Sequence, residues 1–350
     1  MRLLVLAAAC VLAAESAPHA AAAQTAEGEF RSDLNGGVWQ KGPPLPAPRQ
    51  DAACAVVGGR IYLIGGFGPR DAQTDTTFVL EPQVPATAAP APFLQRVGRW
   101  TTAAPIPVSV DHAAAAALDG YVYVVGGRQG RRVSGGLWRY DPSADAWEQL
   151  ASMPIARYAP TLTAFGEKLY VLGGQSTGGR DERSVEMFDP LQNMWTLISR
   201  ELDIEREAAA AAVVDQKIAL VGGHDHAQDN LTSCDLWDPL ADAWSTCARL
   251  HDPRADFGLA AVEGRLMAIG GYDLRRDLAD QTTEISEPAV RGWLSGPWMP
   301  FPRRAMAVAS IGGTIFVMGG SAYFGVAPLD SVLLYVSPIT RVRLGPRVRP

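Results

Sequence analysis

The sequence predicts an all-β fold, six four-stranded blades arranged radially as a β-propeller with the N-terminal strand completing the last blade. Three observations carry that reading. A Gly-Gly pair closes a short apolar run six times, at Gly65-Gly66, Gly126-Gly127, Gly173-Gly174, Gly222-Gly223, Gly270-Gly271 and Gly319-Gly320, with spacings of 61, 47, 49, 48 and 49 residues. An aromatic-Asp-Pro turn followed by Trp recurs at Tyr140 to Trp147, Phe188 to Trp195 and Trp237 to Trp244. Trp39 stands 10 residues before Arg49, as Trp147 stands 10 before Arg157.

The runs before the glycines, such as Ile61–Ile64, Val122–Val125 and Leu169–Leu172, are short, apolar and bounded by turn residues, as buried strands are. Two-residue turn candidates precede them, including Gly58-Gly59, Asp119-Gly120 and Gly312-Gly313, so each repeat begins as a hairpin. The Asp-Pro turn closes a second hairpin, because Pro sets φ and Asp caps the turn backbone. Two hairpins give a four-stranded unit of about 48 residues, the size of a propeller blade. Trp100, Trp147, Trp195, Trp244 and Trp293 open the outer strands of blades 1 to 5. No such Trp follows Pro338, so Trp39 supplies the outer strand of blade 6 and removes a free edge. The propeller is expected over 36–340, with a Pro/Ala-rich insertion at 81–95 in blade 1 accounting for the long first spacing.

The N-terminus reads as an export signal over 1–23: Arg2, the apolar run Leu3–Ala14, and Ala21-Ala22-Ala23 before Gln24. Residues 24–35 read as a linker and 341–350 as a basic tail. An exported chain, periplasmic or extracellular, is the expectation, with no integral membrane segment in the mature part. The net charge of −6 argues against a nucleic-acid partner. Three cysteines follow the signal. If Trp237 faces Trp244 across its hairpin, paired positions sum to 481, and Cys234 and Cys247 share that sum. A disulfide between them is expected, leaving Cys54 as a free thiol in the inner strand of blade 1. Asn230-Leu231-Thr232 is a glycosylation sequon.

The double glycine, the aromatic-Asp-Pro turn and the outer-strand Trp together resemble the Kelch repeat, over roughly residues 36 to 340. Alignment on Gly-Gly exposes two columns. Sixteen residues before the first Gly stand Arg49, Val110, Arg157, Arg206, Arg254 and Arg303; directly after the pair stand Phe67, Arg128, Gln175, His224, Tyr272 and Ser321. In Kelch-type substrate adaptors, Arg and aromatic residues in these columns contact acidic ligands. The resemblance implies a cationic, aromatic-lined pocket of Arg49, Arg157, Arg206, Arg254, Arg303, Arg128, Phe67, His224 and Tyr272 at one channel mouth. An anionic partner is expected there: an acidic peptide, a protein surface or a glycan. His112 or Arg128 could compensate for Val110. Alternatively, the arginines could pair with loop acids such as Asp51, Asp111, Glu205, Glu207 or Asp256 and staple the blades.

Bacterial N-acetylneuraminate epimerases are exported six-bladed Kelch propellers, and similarity to them implies an alternative. Within Glu205-Arg206-Glu207, Arg206 would clamp a sugar carboxylate, and Glu207 or Glu205 would act as the acid/base that moves protons between sialic acid anomers. His224-Asp225-His226 looks like a metal cluster, but no third ligand is evident and no metal is expected. A copper site of the galactose-oxidase type lacks its Tyr-His pattern here, and no cofactor is expected.

Overall fold

The computed structural model describes residues 37–82, 98–225, 227, 229–262, 264–287, 291–323 and 327–336, together with the strands Gln24–Thr25 and Glu29–Arg31. The expected signal at 1–23, residues 83–95 of the expected insertion, His226 and the basic tail lie outside the described residues.

The described residues form six antiparallel blade sheets and two short two-stranded ribbons, Arg128–Gln129 with Arg132–Val133 and Arg157–Tyr158 with Gln175–Ser176. Blade 1 runs Ala53–Val57, Arg60–Ile64, Thr77–Glu81 and Arg99–Ala103. Blades 2 to 5 repeat that order, beginning at Ala114–Leu118, Thr161–Phe165, Ala210–Val214 and Gly258–Val262. Blade 6 takes three strands from the end of the chain, Ala307–Ile311, Thr314–Met318 and Val332–Val336. Its fourth is Val38–Lys41, with Trp39 opposite Tyr335. Glu29–Arg31 and Gln24–Thr25 add two further strands to that edge, so the segment expected as a linker is partly sheet.

Each second strand is buried on both faces, which explains its unbroken apolar run. Side chains alternate: Ile61 and Leu63 pack on blade 6, whereas Tyr62 and Ile64 pack on blade 2. Six apolar clusters result, one between each pair of neighbouring blades. The first strands touch their neighbours in sequence, and that of blade 6 touches that of blade 1.

Two belts close the ring. On the outside, tryptophan Nε1 donates to a carbonyl at the outer edge of the preceding blade: Trp147 to Ala104 at 2.9 Å, Trp195 to Ala151 at 2.7 Å, Trp293 to Ala248 at 2.8 Å and Trp39 to Pro297 at 2.9 Å. The Trp39 bond joins the N-terminal strand to blade 5, beside the blade it completes. On the inside, Asp51, His112, Ala159, Ala208, Asp256 and Ala305 form a closed circle. The backbone N–H of each donates to the carbonyl of the previous member, at 2.9–3.2 Å. All six sit at φ between 45° and 55°, the left-handed region that non-glycine residues seldom occupy.

The Gly-Gly pairs connect these circles to the blades. The second Gly donates to the carbonyl of the next blade's arginine-column residue: Gly127 to Arg157, Gly174 to Arg206, Gly223 to Arg254, Gly271 to Arg303 and Gly320 to Arg49. Both glycines have positive φ, and a Cβ on Gly173 would meet the Arg206 carbonyl oxygen at 2.6 Å. Backbone conformation and close approach therefore both require glycine here.

The expected disulfide is present: Cys234 and Cys247 bridge across the outer hairpin of blade 4 with Cα atoms 5.1 Å apart, and Trp237 faces Trp244. Cys54 is free and packs against the cluster between blades 6 and 1, where burial pushes its thiol up to about 12.

Candidate functional site at the channel mouth

The two residue columns share one end of the propeller. In each blade, the residue after the arginine column bridges the residue after Gly-Gly: Gln50 to Phe67, Asp111 to Arg128, Tyr158 to Gln175, Glu207 to His224, Ala255 to Tyr272 and Arg304 to Ser321. These pairs and the inner circle line the mouth.

The arginine column itself points away from it. Arg157, Arg206, Arg254 and Arg303 are at most 1% exposed, and Arg49 is 5% exposed. Arg157 bonds the Gly173 carbonyl at 2.9 Å, the Ser184 carbonyl at 2.7 Å and Glu186 at 2.7 Å. Arg206 reaches Ser233 Oγ and Asp235, each at 2.7 Å, and Arg254 reaches Gly270 O at 2.9 Å and Glu284 at 2.8 Å. Arg303 bonds Gly319 O and Ser331 without an acid, and burial pushes it down to about 10. Arg49 bonds Thr76 at 2.7 Å and lies over the Phe78 ring. The expectation that these five guanidiniums line a ligand pocket is therefore corrected: Arg49 bonds Pro48 O and Thr76 beside the third strand of blade 1, and Arg157, Arg206, Arg254 and Arg303 each brace the glycine turn and third strand of their own blade. Their acid partners come from that third strand rather than from the neighbouring loops. Val110, buried in the column at blade 2, packs in the apolar cluster between blades 1 and 2.

Other residues occupy the mouth. His112 lies between two carboxylates, with Nε2 3.1 Å from Asp51 and Nδ1 2.5 Å from Asp111. Burial opposes its charge, but Asp51 and Asp111 outweigh it and raise the imidazole above its ordinary value. Burial pushes Asp51 up to about 6, against the opposing pull of His112. Asp111 also accepts from Gln73 and, at 3.4 Å, from Arg128 Nε. Arg128 lies over the Tyr158 ring at 4.2 Å with its side chain 37% exposed. Its terminal nitrogens make no hydrogen bond among the described residues. Arg304 pairs with Asp256 at 2.5 Å and lies over the Tyr272 ring at 4.8 Å. Phe67 approaches the edge of His112, with ring centroids 6.0 Å apart.

On the side of blades 3 and 4, Glu207 is 6% exposed. Gln175 Nε2 donates to its Oε1 at 3.2 Å, and His224 Nε2 lies 3.4 Å from the same atom. Burial pushes Glu207 up to about 8, helped by Asp181 and Asp256 and opposed by His112 and Arg128. These groups therefore feel one another across one mouth. The expected partnership of Arg206 and Glu207 is absent, because Arg206 turns into blade 4 while Glu207 faces the channel. Glu205 is half-buried and has no ion pair among the described residues. Asn230 donates its side-chain nitrogen to the Tyr272 carbonyl.

Of the residues expected at the mouth, Phe67, Arg128, His224, Tyr272 and Glu207 are there. Asp51, Tyr158, Asp181, Asp256 and Arg304 were not among the expected ligand residues. The columns one and two residues beyond the arginines would have located four of them, since those positions follow the same register.

A single mouth with paired loop columns on a six-bladed ring defines the repeat propellers as a class. The family model for the KLHDC2/KLHL20/DRC7 Kelch-repeats domain matches residues 30–223 and again 95–271, and the chain belongs to the Kelch-repeat family. It is similar to Kelch-like protein 35 of Mus musculus, 31% identical over 46% of this chain and 25% of that protein. It is similar also to Kelch-like protein terF of Aspergillus terreus, 32% identical over 36% and 27%. The chain thus spans about a quarter of the length of the curated relatives it matches. The solved structure of YjhT superposes with a TM-score of 0.72 and 17% identity, covering 83% of this chain and 96% of that one, a likeness of fold.

Proposed function

We propose that this Kelch propeller is an exported binding module that holds a carboxylate-bearing ligand, an acidic sugar or the acidic segment of a partner protein, at its channel mouth. Arg128 carries the reading. Its guanidinium is oriented by the Tyr158 ring and anchored through Nε, with both terminal nitrogens facing solvent in the fork geometry that suits a carboxylate. Tyr158 beneath it and Phe67 beyond His112 supply apolar and ring-stacking surface on its side of the mouth, and Tyr272 does the same beneath Arg304. Export is supported by the signal-like N-terminus and by the Cys234–Cys247 disulfide, which suits an oxidising compartment. Among the described residues no helix is long and apolar enough to cross a membrane.

The test is isothermal titration of the full chain with N-acetylneuraminate and with a short poly-aspartate peptide. Arg128→Ala is expected to weaken whichever binds by about tenfold or more, the worth of a charge-assisted pair. Unchanged affinity would remove Arg128 from the site.

A second reading, proton transfer on a bound sugar, is favoured by Glu207, whose elevated pKa near 8 suits an acid/base at neutral pH. The clamp would then be Arg128 rather than Arg206. Faster exchange between the anomers of N-acetylneuraminate, lost in Glu207→Ala, is its expected signature.

A further inference from the structure

The carboxylates of the mouth fall into two groups. Asp51 and Asp111 share His112, and Asp256 holds Arg304. Asp181 and Glu207, on the loops of blades 3 and 4, have no such Arg partner among the described residues. Between them sits one neutral amide: Gln175 Nε2 donates to Asp181 Oδ1 at 3.1 Å and to Glu207 Oε1 at 3.2 Å. Asp181 is 4% exposed and Glu207 6% exposed. Asp181 Oδ2 and Glu207 Oε2 are nevertheless buried without a hydrogen-bond partner among the described residues, as are His224 Nδ1 and Asn230 Oδ1 nearby. Buried acceptors left in this state are costly and rare in folded proteins.

We propose that Asp181 and Glu207 form a subsite for a protonated primary amine. An ammonium carries three donors and a full positive charge, so one group can satisfy both open carboxylate oxygens and a third acceptor. A hydroxyl carries one donor and leaves the second oxygen open, and an anion is repelled. Among the described residues no three His, Cys, Asp or Glu side chains are grouped as metal ligands are, which sets the subsite apart from a divalent-cation centre. The amine's source is an amino sugar or a lysine side chain. The subsite uses carboxylates that the Arg128 clamp does not touch, so it stands apart from the carboxylate-binding reading.

The groups facing Glu207 set the pH dependence. Burial, with Asp181 and Asp256, favours its protonated form near neutrality, His112 and Arg128 oppose them, and His224 Nε2 lies 3.4 Å from Oε1, the oxygen that Gln175 bonds. An ammonium binds the ionised form, so affinity rises as pH rises toward about 8.

The experiment titrates the full chain with Nα-acetyl-lysine amide at pH 6.5 and pH 8.5, a range in which a lysine ammonium stays charged. Galactosamine is added at pH 6.5, with Nα,Nε-diacetyl-lysine amide and N-acetylgalactosamine as charge-free controls. At least one amine is expected to bind about tenfold more tightly than its acetylated control, with the lysine probe, where it binds, strengthening by about tenfold between the two pH values. Binding of galactosamine alone assigns an amino sugar; binding of the lysine probe assigns a protein segment. Asp181→Asn and Glu207→Gln, which keep side-chain shape, should each abolish that binding, and a cooperative thermal transition at pH 6.5 shows that either variant is folded. Controls that bind as well as the amines, amines that do not bind, or binding by calcium chloride in their place would overturn the proposal. Failure of the carboxylate reading is seen separately, in titrations of the parent chain with N-acetylneuraminate and poly-aspartate.

Discussion

Arginines in the interior of the blades and arginines at the mouth behave as two materials. Arg157 and Arg254 lie within two packed strands, each with a carboxylate, a Ser or Thr and a glycine carbonyl as partners. Arg128 and Arg304 lie on aromatic rings at the channel. The first set is regular across blades because the fold is. The second is irregular, one from the column after Gly-Gly and one from the column before the inner circle. Regularity in this repeat protein marks structure, and departure from it marks the channel mouth.

The largest expected effect tests the interior set. Arg157→Ala leaves Glu186 buried without its cation, and is expected to cost about 3–5 kcal/mol in denaturant unfolding. Arg157→Met with Glu186→Leu should recover most of that loss; no recovery would mean that the guanidinium acts through its carbonyl bonds alone.

Next comes the pH dependence of the mouth. Glu207 binds its proton up to about pH 8 in the fold but only to its ordinary 4.5 when unfolded. The folded state therefore holds a proton that the unfolded chain releases, and stability falls as pH rises between those values. The raised His112 acts in the same direction, its contribution being lost as pH rises through its folded value. Glu207→Gln should flatten the fall and be more stable than the parent above pH 8, by about 1.4 kcal/mol for each pH unit that separates the folded and unfolded values. An unchanged profile of melting temperature against pH would contradict the burial argument.

Arg303 sharpens the contrast within the interior set, because it lacks an acid partner and is desolvated. Arg303→Met strands no carboxylate, so its cost should be about 1 kcal/mol, well below that of Arg157→Ala. The smallest effect belongs to the mouth. Arg128→Ala removes a half-exposed side chain and should change stability by less than about 1 kcal/mol.

The ring was legible because its signals are local and repeated. Gly-Gly marked the turns against the next blade, Trp marked the outer strands, and Trp39 in the same register as Trp147 marked the closure. The Cys234–Cys247 pairing followed from the register of one hairpin. The direction of the arginine side chains was not legible from their own column. It depends on Glu186, Asp235 and Glu284, 29 or 30 residues further on, whose regularity appears only when the third strands are aligned as well. The inner circle was hidden for another reason. Asp51, His112, Ala159, Ala208, Asp256 and Ala305 carry no common chemistry and include no glycine, so nothing in their side chains announces a left-handed backbone. The closed circle of hydrogen bonds holds them there.

The most direct measurement is a single pair of titrations of the acidic probe, N-acetylneuraminate or poly-aspartate, into Arg128→Ala and Arg303→Met. Affinity about tenfold or more below the parent's is expected for Arg128→Ala, and parental affinity for Arg303→Met. Parental affinity in Arg128→Ala with loss in folded Arg303→Met would return recognition to the arginine column and contradict the account.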